Sequence, residues 1–299
     1  MKKLLAERAR IIGLVRAFFL SRGFLEVETP IVVPSPGMDL HLDAIPAAEA
    51  WLATSPEYQM KRLIADGYGR IFQITKAFRR GEIGERHNPE FTILEFYRAN
   101  AGMVDVMRDT EELIARVTGG VVRLGDRSID VAPPLERITV CQAFERWADT
   151  PADETLRLAA EDEDSYFRLL VDKVEPGLAA LDRGAMLTDY PSTQASLARK
   201  KPGDSRVAER FECYVAGVEL CNGFGELTCP VEQRARFEKD QALRRARGME
   251  VYPMDEKLLD ALARMPPTGG NAVGLDRLLA LACGTTEIAR VIAFTADEV

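Results

Sequence analysis

Two apolar runs, Ile71-Phe72-Gln73-Ile74 and Phe91-Thr92-Ile93-Leu94-Glu95-Phe96-Tyr97, flank a polar segment from Arg79 to Pro89 in which Gly81 and Gly84 punctuate a dense set of charges. Alternation in the second run suits a half-buried strand, and a glycine-marked polar stretch between two such runs suits a loop joining antiparallel neighbours. The centre of the chain is thereby committed to an antiparallel sheet. The loop also has chemistry: guanidinium, imidazole, amide, aromatic and carboxylate groups in one strand–loop–strand can hold a nucleotide beside an ammonium-bearing substrate. There is no Gly-x-x-x-x-Gly-Lys-[Ser/Thr] loop and no Gly-x-Gly-x-x-Gly element, so neither common nucleotide-binding fold is supported.

Around this centre, Leu4, Leu5, Ile11, Ile12, Val15, Phe18 and Phe19 recur at helical spacing until Gly23, and Gly23 to Pro30 reads as a strand ended by proline. Met103 to Val117 reads as a helix. Arg210 to Leu220 reads as a hairpin turning near Ala216-Gly217, Pro230 to Arg247 as a charged helix, and Gly274 as the entry to another helix. Between Val121 and Arg183 the sequence turns acidic and less patterned, which predicts short helices with a solvated face. The expected architecture is α+β: one domain over residues 1–299, an antiparallel sheet flanked by helices, with a helical insertion at about 135–185.

Composition excludes more than it selects. At 299 residues and 46% hydrophobic content the chain can bury a large core, and a net charge of −8 argues against a surface that tracks nucleic acid throughout. Five cysteines without a Cys-x-x-Cys pair, beside only His41 and His87, do not make a disulfide framework or a zinc site. The opening Met1-Lys2-Lys3-Leu4-Leu5 has the look of a signal peptide, but Glu7, Arg8, Arg10 and Arg16 break the apolar run. A cytoplasmic protein without a membrane span is expected.

Three constellations carry chemistry. Arg79, Arg80 and Arg86 can clamp phosphate bidentately, with His87 and Asn88 as further polar partners and Phe91 as a purine platform; singly, each also fits a surface, turn or core role. Glu212, Glu219 and Glu226 are spaced by seven. With a turn near Ala216-Gly217, Glu212 and Glu219 share a face of adjacent strands, where magnesium or plain solvation would reconcile their charges. Thr268-Gly269-Gly270-Asn271-Ala272-Val273-Gly274 brings backbone close to a ligand, and Arg277 in the following turn can reach an anion.

Taken in order, these segments resemble the three motifs of class II aminoacyl-tRNA synthetases: Gly23 to Pro30, Phe78-Arg79 to Arg98, and Gly274-Leu275-Asp276-Arg277. Thr54-Ser55-Pro56-Glu57-Tyr58, His87-Asn88-Pro89-Glu90-Phe91 and Glu219 to Leu227 are similar to the lysyl branch. The first motif begins at Gly23, leaving no room for that branch's anticodon-reading barrel. The chain therefore looks like the truncated paralogues that attach (R)-β-lysine to a lysine of translation elongation factor P, as do Gln194 to Ala198 and Arg206 to Glu212.

The resemblance implies ATP and Mg2+ as cofactors. It places Arg79 and Arg277 as catalytic residues on the phosphates, with Arg80, Gly81, Glu82, His87, Asn88, Phe91, Glu219, Leu220 and Gly274 around the nucleotide. Glu212 and Glu219 would bind magnesium. Glu226 and Tyr97 would receive the distal ammonium of the lysine, and Ser55, Pro56, Glu57 and Glu95 its other amino group. Ser55 stands where lysyl-tRNA synthetases usually have alanine, and Ala272 where they have glycine; such changes shift preference by about 1–3 kcal/mol. Gly81 replaces a glutamate usual in the second motif, and the following Glu82 is the candidate substitute. The family further implies a homodimer built through the first motif. Charging of tRNA and a non-catalytic amino-acid sensor are the competing functions. The missing barrel and acidic balance weigh against the first, and the retained Arg79, Glu212, Glu219 and Arg277 against the second.

Overall fold

A computed structural model describes residues 3–40 and 42–299. The spatial order of the main sheet is Leu25–Glu26, Arg70–Phe78, Glu90–Ala99, Thr268–Gly274, Val218–Gly225, Asp204–Val215, Ala185–Pro191 and Glu136–Thr139, with Lys200–Lys201 pairing onto Asp204–Val215. The central hairpin runs in regular antiparallel register from Arg70 opposite Arg98 to Phe78 opposite Glu90. Antiparallel pairing gives way at the two ends of this order, where Leu25–Glu26 and Glu136–Thr139 each lie parallel to their neighbour. The segment 23–30 pairs only through Leu25 and Glu26, a shorter strand than its sequence predicts.

Strand alternation divides the sheet into a structural and a chemical face. The helices Leu5–Leu20, Met103–Thr118 and Leu275–Ala282 cover the first, on a core that includes Phe72, Leu94, Phe96, Phe211 and Val273. Within it the rings of Phe19 and Phe72 stack with centroids 4.8 Å apart. Each such side chain contributes about 1.5–3 kcal/mol by leaving water, so this face fixes the register of the whole sheet. Ile11, Val15, Phe18 and Phe19 are the buried stripe of the first helix, whereas Leu5 is exposed.

The other face is closed at two ends and open between them. At one end Ile71, Tyr97 and Phe224 pack with Tyr58, Met60 and Ile64 of the helix Glu57–Ala65 and with Leu258, Leu259 and Leu262 of the helix Glu256–Leu262. At the other, Leu187 and Tyr214 meet Phe144 and Tyr166. The helices there run from Val140 to Ala179. The flanking residues differ from expectation: Val121–Leu124 and Arg127–Asp130 form their own hairpin, and Glu136–Thr139 belongs to the main sheet. Asp153, Glu161, Asp162 and Asp164 face solvent.

The turn at Ala216 and Gly217 has φ of 52° and 72°, the two positive values that a two-residue hairpin with matching twist requires. The two strands then slip by one: Tyr214 lies opposite Glu219, but Cys213 opposite Cys221. The bulge at Leu220 reverses the side-chain alternation beyond it. Odd-numbered Glu219 and even-numbered Asn222, Phe224 and Glu226 therefore share the chemical face, which a regular strand forbids.

Candidate active site

Register aligns functional side chains in rows across five strands. One row reads Glu212, Asn222, Ala272, Glu95, Gln73; the next reads Arg210, Phe224, Gly270, Tyr97, Ile71. The proposed metal, isomer-selecting and ammonium-binding residues thus lie side by side, although they come from distant parts of the chain.

Cations gather at the end of the face nearest the second-motif loop. Arg79 lies over the Phe91 ring at 5.0 Å and pairs with Glu82 at 3.5 Å. Gly81, with φ of 79°, makes the bend that returns Glu82 toward Arg79. Arg277 joins three segments: Nη2 donates to His87 Nε2 at 2.7 Å, Nη1 donates to the Glu219 carbonyl at 2.9 Å, and the guanidinium lies 3.6 Å from the Glu219 carboxylate. Burial and the Arg277 charge hold His87 below its usual range, so it stays a neutral acceptor. Arg277 is aimed by the residue before it, because Asp276 Oδ2 accepts from Thr92 N at 2.7 Å and pins the helix Leu275–Ala282 to the strand Glu90–Ala99.

Not every candidate presents its side chain to a nucleotide. Arg86 donates to the Gly217 carbonyl at 2.7 Å, tying the loop to the hairpin turn, so the three-arginine clamp is reduced by one donor group. Asn88 uses both ends of its amide internally, donating to the Glu90 carbonyl at 2.6 Å and accepting from Ala296 N at 2.9 Å. Leu220 is buried in the core of the opposite face. For Leu220 only backbone remains for a ligand, and the Asn88 amide keeps one N–H and one lone pair beyond its internal bonds. Arg80 is exposed, and Gly274 is the N-cap of the helix that carries Arg277.

Three carboxylates converge at the other end of the face. Ser55 donates to Glu95 Oε1, Tyr97 donates to Glu95 Oε2 at 3.0 Å, and Glu57 N donates to Ser55 Oγ at 3.0 Å, in the first turn of the helix that follows Pro56. Glu57 and Glu226 are bridged by Lys61, whose Nζ lies 2.7 Å from Glu57 Oε1 and 2.6 Å from Glu226 Oε2. The two amino-group subsites that the resemblance separates are therefore neighbours in one cluster. A Cβ on Gly270 would stand 2.3 Å from both Glu226 Oε1 and the Tyr97 ring, so only glycine lets them cross this strand. Burial, aided by the Glu57 charge, pushes Glu95 up to about 8, and burial pushes Glu226 up to about 7 against the pull of Lys61.

Glu212 and Glu219 sit diagonally across their hairpin. Glu212 accepts from Arg210 at 2.7 Å and from the Tyr214 hydroxyl at 2.7 Å. Burial and the Glu212 charge push Glu219 up to about 7, the repulsion a divalent cation relieves. Asn222 Oδ1, buried in the same row as Glu212, has no hydrogen-bond partner. Among the described residues no three His, Cys, Asp or Glu side chains are grouped to hold a metal. The donors fit magnesium arriving with phosphate oxygens and water, rather than an all-protein metal cage.

Lys61, Arg210, Asn222 and Gly270 complete the site without having been singled out as candidates by sequence. Gly270 had a signal in its run of small residues, and Asn222 and Arg210 lie in segments that carry the resemblance; Lys61 had none. The sequence matches tRNA synthetases class II (D, K and N) over residues 1–298, and the chain belongs to that family of ATP-dependent amino acid ligases. Within it, the chain is 41% identical to "Elongation factor P--(R)-beta-lysine ligase" of Salmonella dublin over 322 residues, covering 98% of this chain and 95% of the relative. The same-named ligases of Salmonella paratyphi B and Salmonella heidelberg match with the same identity and coverage.

Proposed function

We propose that this chain activates (R)-β-lysine, or lysine, as an acyl-adenylate and transfers it to a lysine side chain of elongation factor P. The observation that carries the reading is the pocket at Glu57, Glu95 and Glu226: once ammonium groups displace the protons that burial leaves on Glu95 and Glu226, three carboxylates against one resident ammonium leave two negative charges, the complement of a substrate with two amino groups. Glu226 Oε1 is buried without a hydrogen-bond donor, an acceptor open to one of them. Ser55 bonds Glu95 directly and Ala272 lies opposite it in register, so both departures from lysyl-tRNA synthetases bear on the same carboxylate.

In the first step a substrate carboxylate oxygen attacks the α-phosphorus of ATP, and the bond to the bridging oxygen breaks to release pyrophosphate. Arg79 holds the α-phosphate, and Arg277 with His87 the distal phosphates, so acceleration comes from positioning and charge stabilisation rather than proton transfer. Glu212 and Glu219 would hold magnesium, which when bound neutralises phosphate charge. In the second step the acceptor amine attacks the acyl carbon, the bond to AMP breaks, and the amine loses a proton as the amide forms. Leu20, Leu25, Ile31 and Val32, 39–56% exposed around the first motif, are the apolar surface through which we expect a homodimer. Among the described residues no helix is long and apolar enough to cross a membrane.

ATP–pyrophosphate exchange with (R)-β-lysine and α-lysine tests the first step, and the mass of elongation factor P after incubation tests the second. Exchange with neither isomer, or charged tRNA beside an unmodified factor, would sink the proposal.

A further inference from the structure

Lys61 is the least expected member of the pocket. It lies on the helix Glu57–Ala65, is 1% exposed, and its ammonium has two carboxylates within 2.7 Å. A lysine used only to join a helix to a sheet has no need of such a place, since a buried ion pair is often matched in stability by well-packed apolar residues. Among the described residues, surrounding elements bring no second cation into ion-pair contact with these carboxylates. The strand Glu90–Ala99 contributes Glu95 and the Tyr97 hydroxyl, and the strand Arg70–Phe78 contributes the neutral Gln73. The helix Glu256–Leu262 turns Leu258, Leu259 and Leu262 inward and leaves Glu256, Lys257 and Asp260 exposed. Arg199 acts on Glu226 from farther off and is itself paired with Glu209 at 2.6 Å.

We infer that Lys61 is a specificity-determining and positioning residue: it permanently occupies one of the three cation places that Glu57, Glu95 and Glu226 create, so that two places remain and a diamino acid is selected over amino acids with one ammonium. This rests on the proposed function, since it presumes that the pocket takes a lysine-type substrate. Lys61 acts through Glu57 and Glu226, fixing their carboxylates, and its charge lowers the pH at which Glu226 and Glu95 give up their protons. Without it Glu95 and Glu226 would retain a proton to higher pH, and that proton would compete with a substrate ammonium.

The experiment is a charge-swap cycle read by ATP–pyrophosphate exchange between pH 6 and 9, comparing the unaltered protein with Lys61→Met, Glu57→Gln and the double variant. Each single change unbalances the pocket, and KM for the diamino acid should rise roughly tenfold or more at pH 7 with kcat little changed. In Lys61→Met the fall of KM with rising pH should move to more alkaline pH. The double variant restores the charge count and should bind the diamino acid better than either single variant. Singles whose effects simply accumulate in the double, or a Lys61→Met profile identical to the unaltered protein's, would overturn the inference. Should Lys61→Met fail to fold while the double folds and retains low KM, charge balance is again supported; failure of both to fold would make Lys61 a structural residue and refute it. Absence of exchange in the unaltered protein would instead count against the proposed function itself.

Discussion

Replacing Glu95 with glutamine should make the unliganded protein more stable in alkali and leave it unchanged in mild acid. Burial and the neighbouring Glu57 charge raise this carboxyl from its ordinary 4.5 to about 8. The native state thus keeps a proton that the unfolded chain releases, and Glu95's contribution is fully present below about pH 4.5, declines as pH rises, and is gone above about 8. At about 1.4 kcal/mol for each tenfold change in proton affinity, the difference is on the order of 5 kcal/mol, shared in part with Glu57. At pH 5 the protonated acid and glutamine are near-isosteric, and the Ser55 and Tyr97 hydroxyls can bond either. Melting curves should therefore nearly coincide near pH 5 and separate by roughly 10 °C at pH 9, taking about 2 °C per kcal/mol for a chain of this length. Parallel curves at all pH values would refute the claim that Glu95 is held protonated by its surroundings.

Glu219→Gln should nearly abolish pyrophosphate exchange while leaving the circular dichroism spectrum intact; unchanged exchange would remove the magnesium assignment. Gly270→Ala puts a methyl within 2.3 Å of Glu226 Oε1 and the Tyr97 ring, so KM for the diamino acid should rise about a hundredfold with that for ATP little altered. A uniform loss in both would place the effect in folding instead. Binding of a diamino acid at pH 7 should release roughly one proton, because ammonium groups displace protons held by Glu95 and Glu226, raised to about 8 and about 7. Titration calorimetry in buffers of different ionisation enthalpy reads this directly, and buffer-independent heats would contradict it.

Periodicity and glycine placement made much of the framework legible. The runs around Gly81 and Gly84 formed the central hairpin, Ala216-Gly217 the turn between Asp204–Val215 and Val218–Gly225, and Met103–Thr118 the long helix. What pattern could not carry was pairing geometry. The bulge at Leu220 leaves no mark in composition, yet it brings Glu219 and Glu226 to one face. The parallel strand Glu136–Thr139 lies in a segment whose acidity reads as helical and solvated. Lys61 was invisible for a related reason: among Glu57, Arg62 and Lys61 on a short helix, no local rule separates the lysine that turns inward, and only Glu226, from another part of the chain, defines its partner. Arg86 and Asn88 show the converse. Polar residues in a ligand-rich loop can be consumed by holding that loop in place.

The strand Thr268–Gly274 lies between Glu90–Ala99 and Val218–Gly225, and each depends on it for the hydrogen-bonding partners of one edge. During synthesis those two strands leave the ribosome long before it does. Until residue 274 emerges, a nascent chain carries two unpaired inner edges, together with a carboxylate pocket whose floor is missing. Joining of the two hairpins into one sheet is therefore a late event, and a chain stalled before that point offers its unfinished edges to any extended segment nearby.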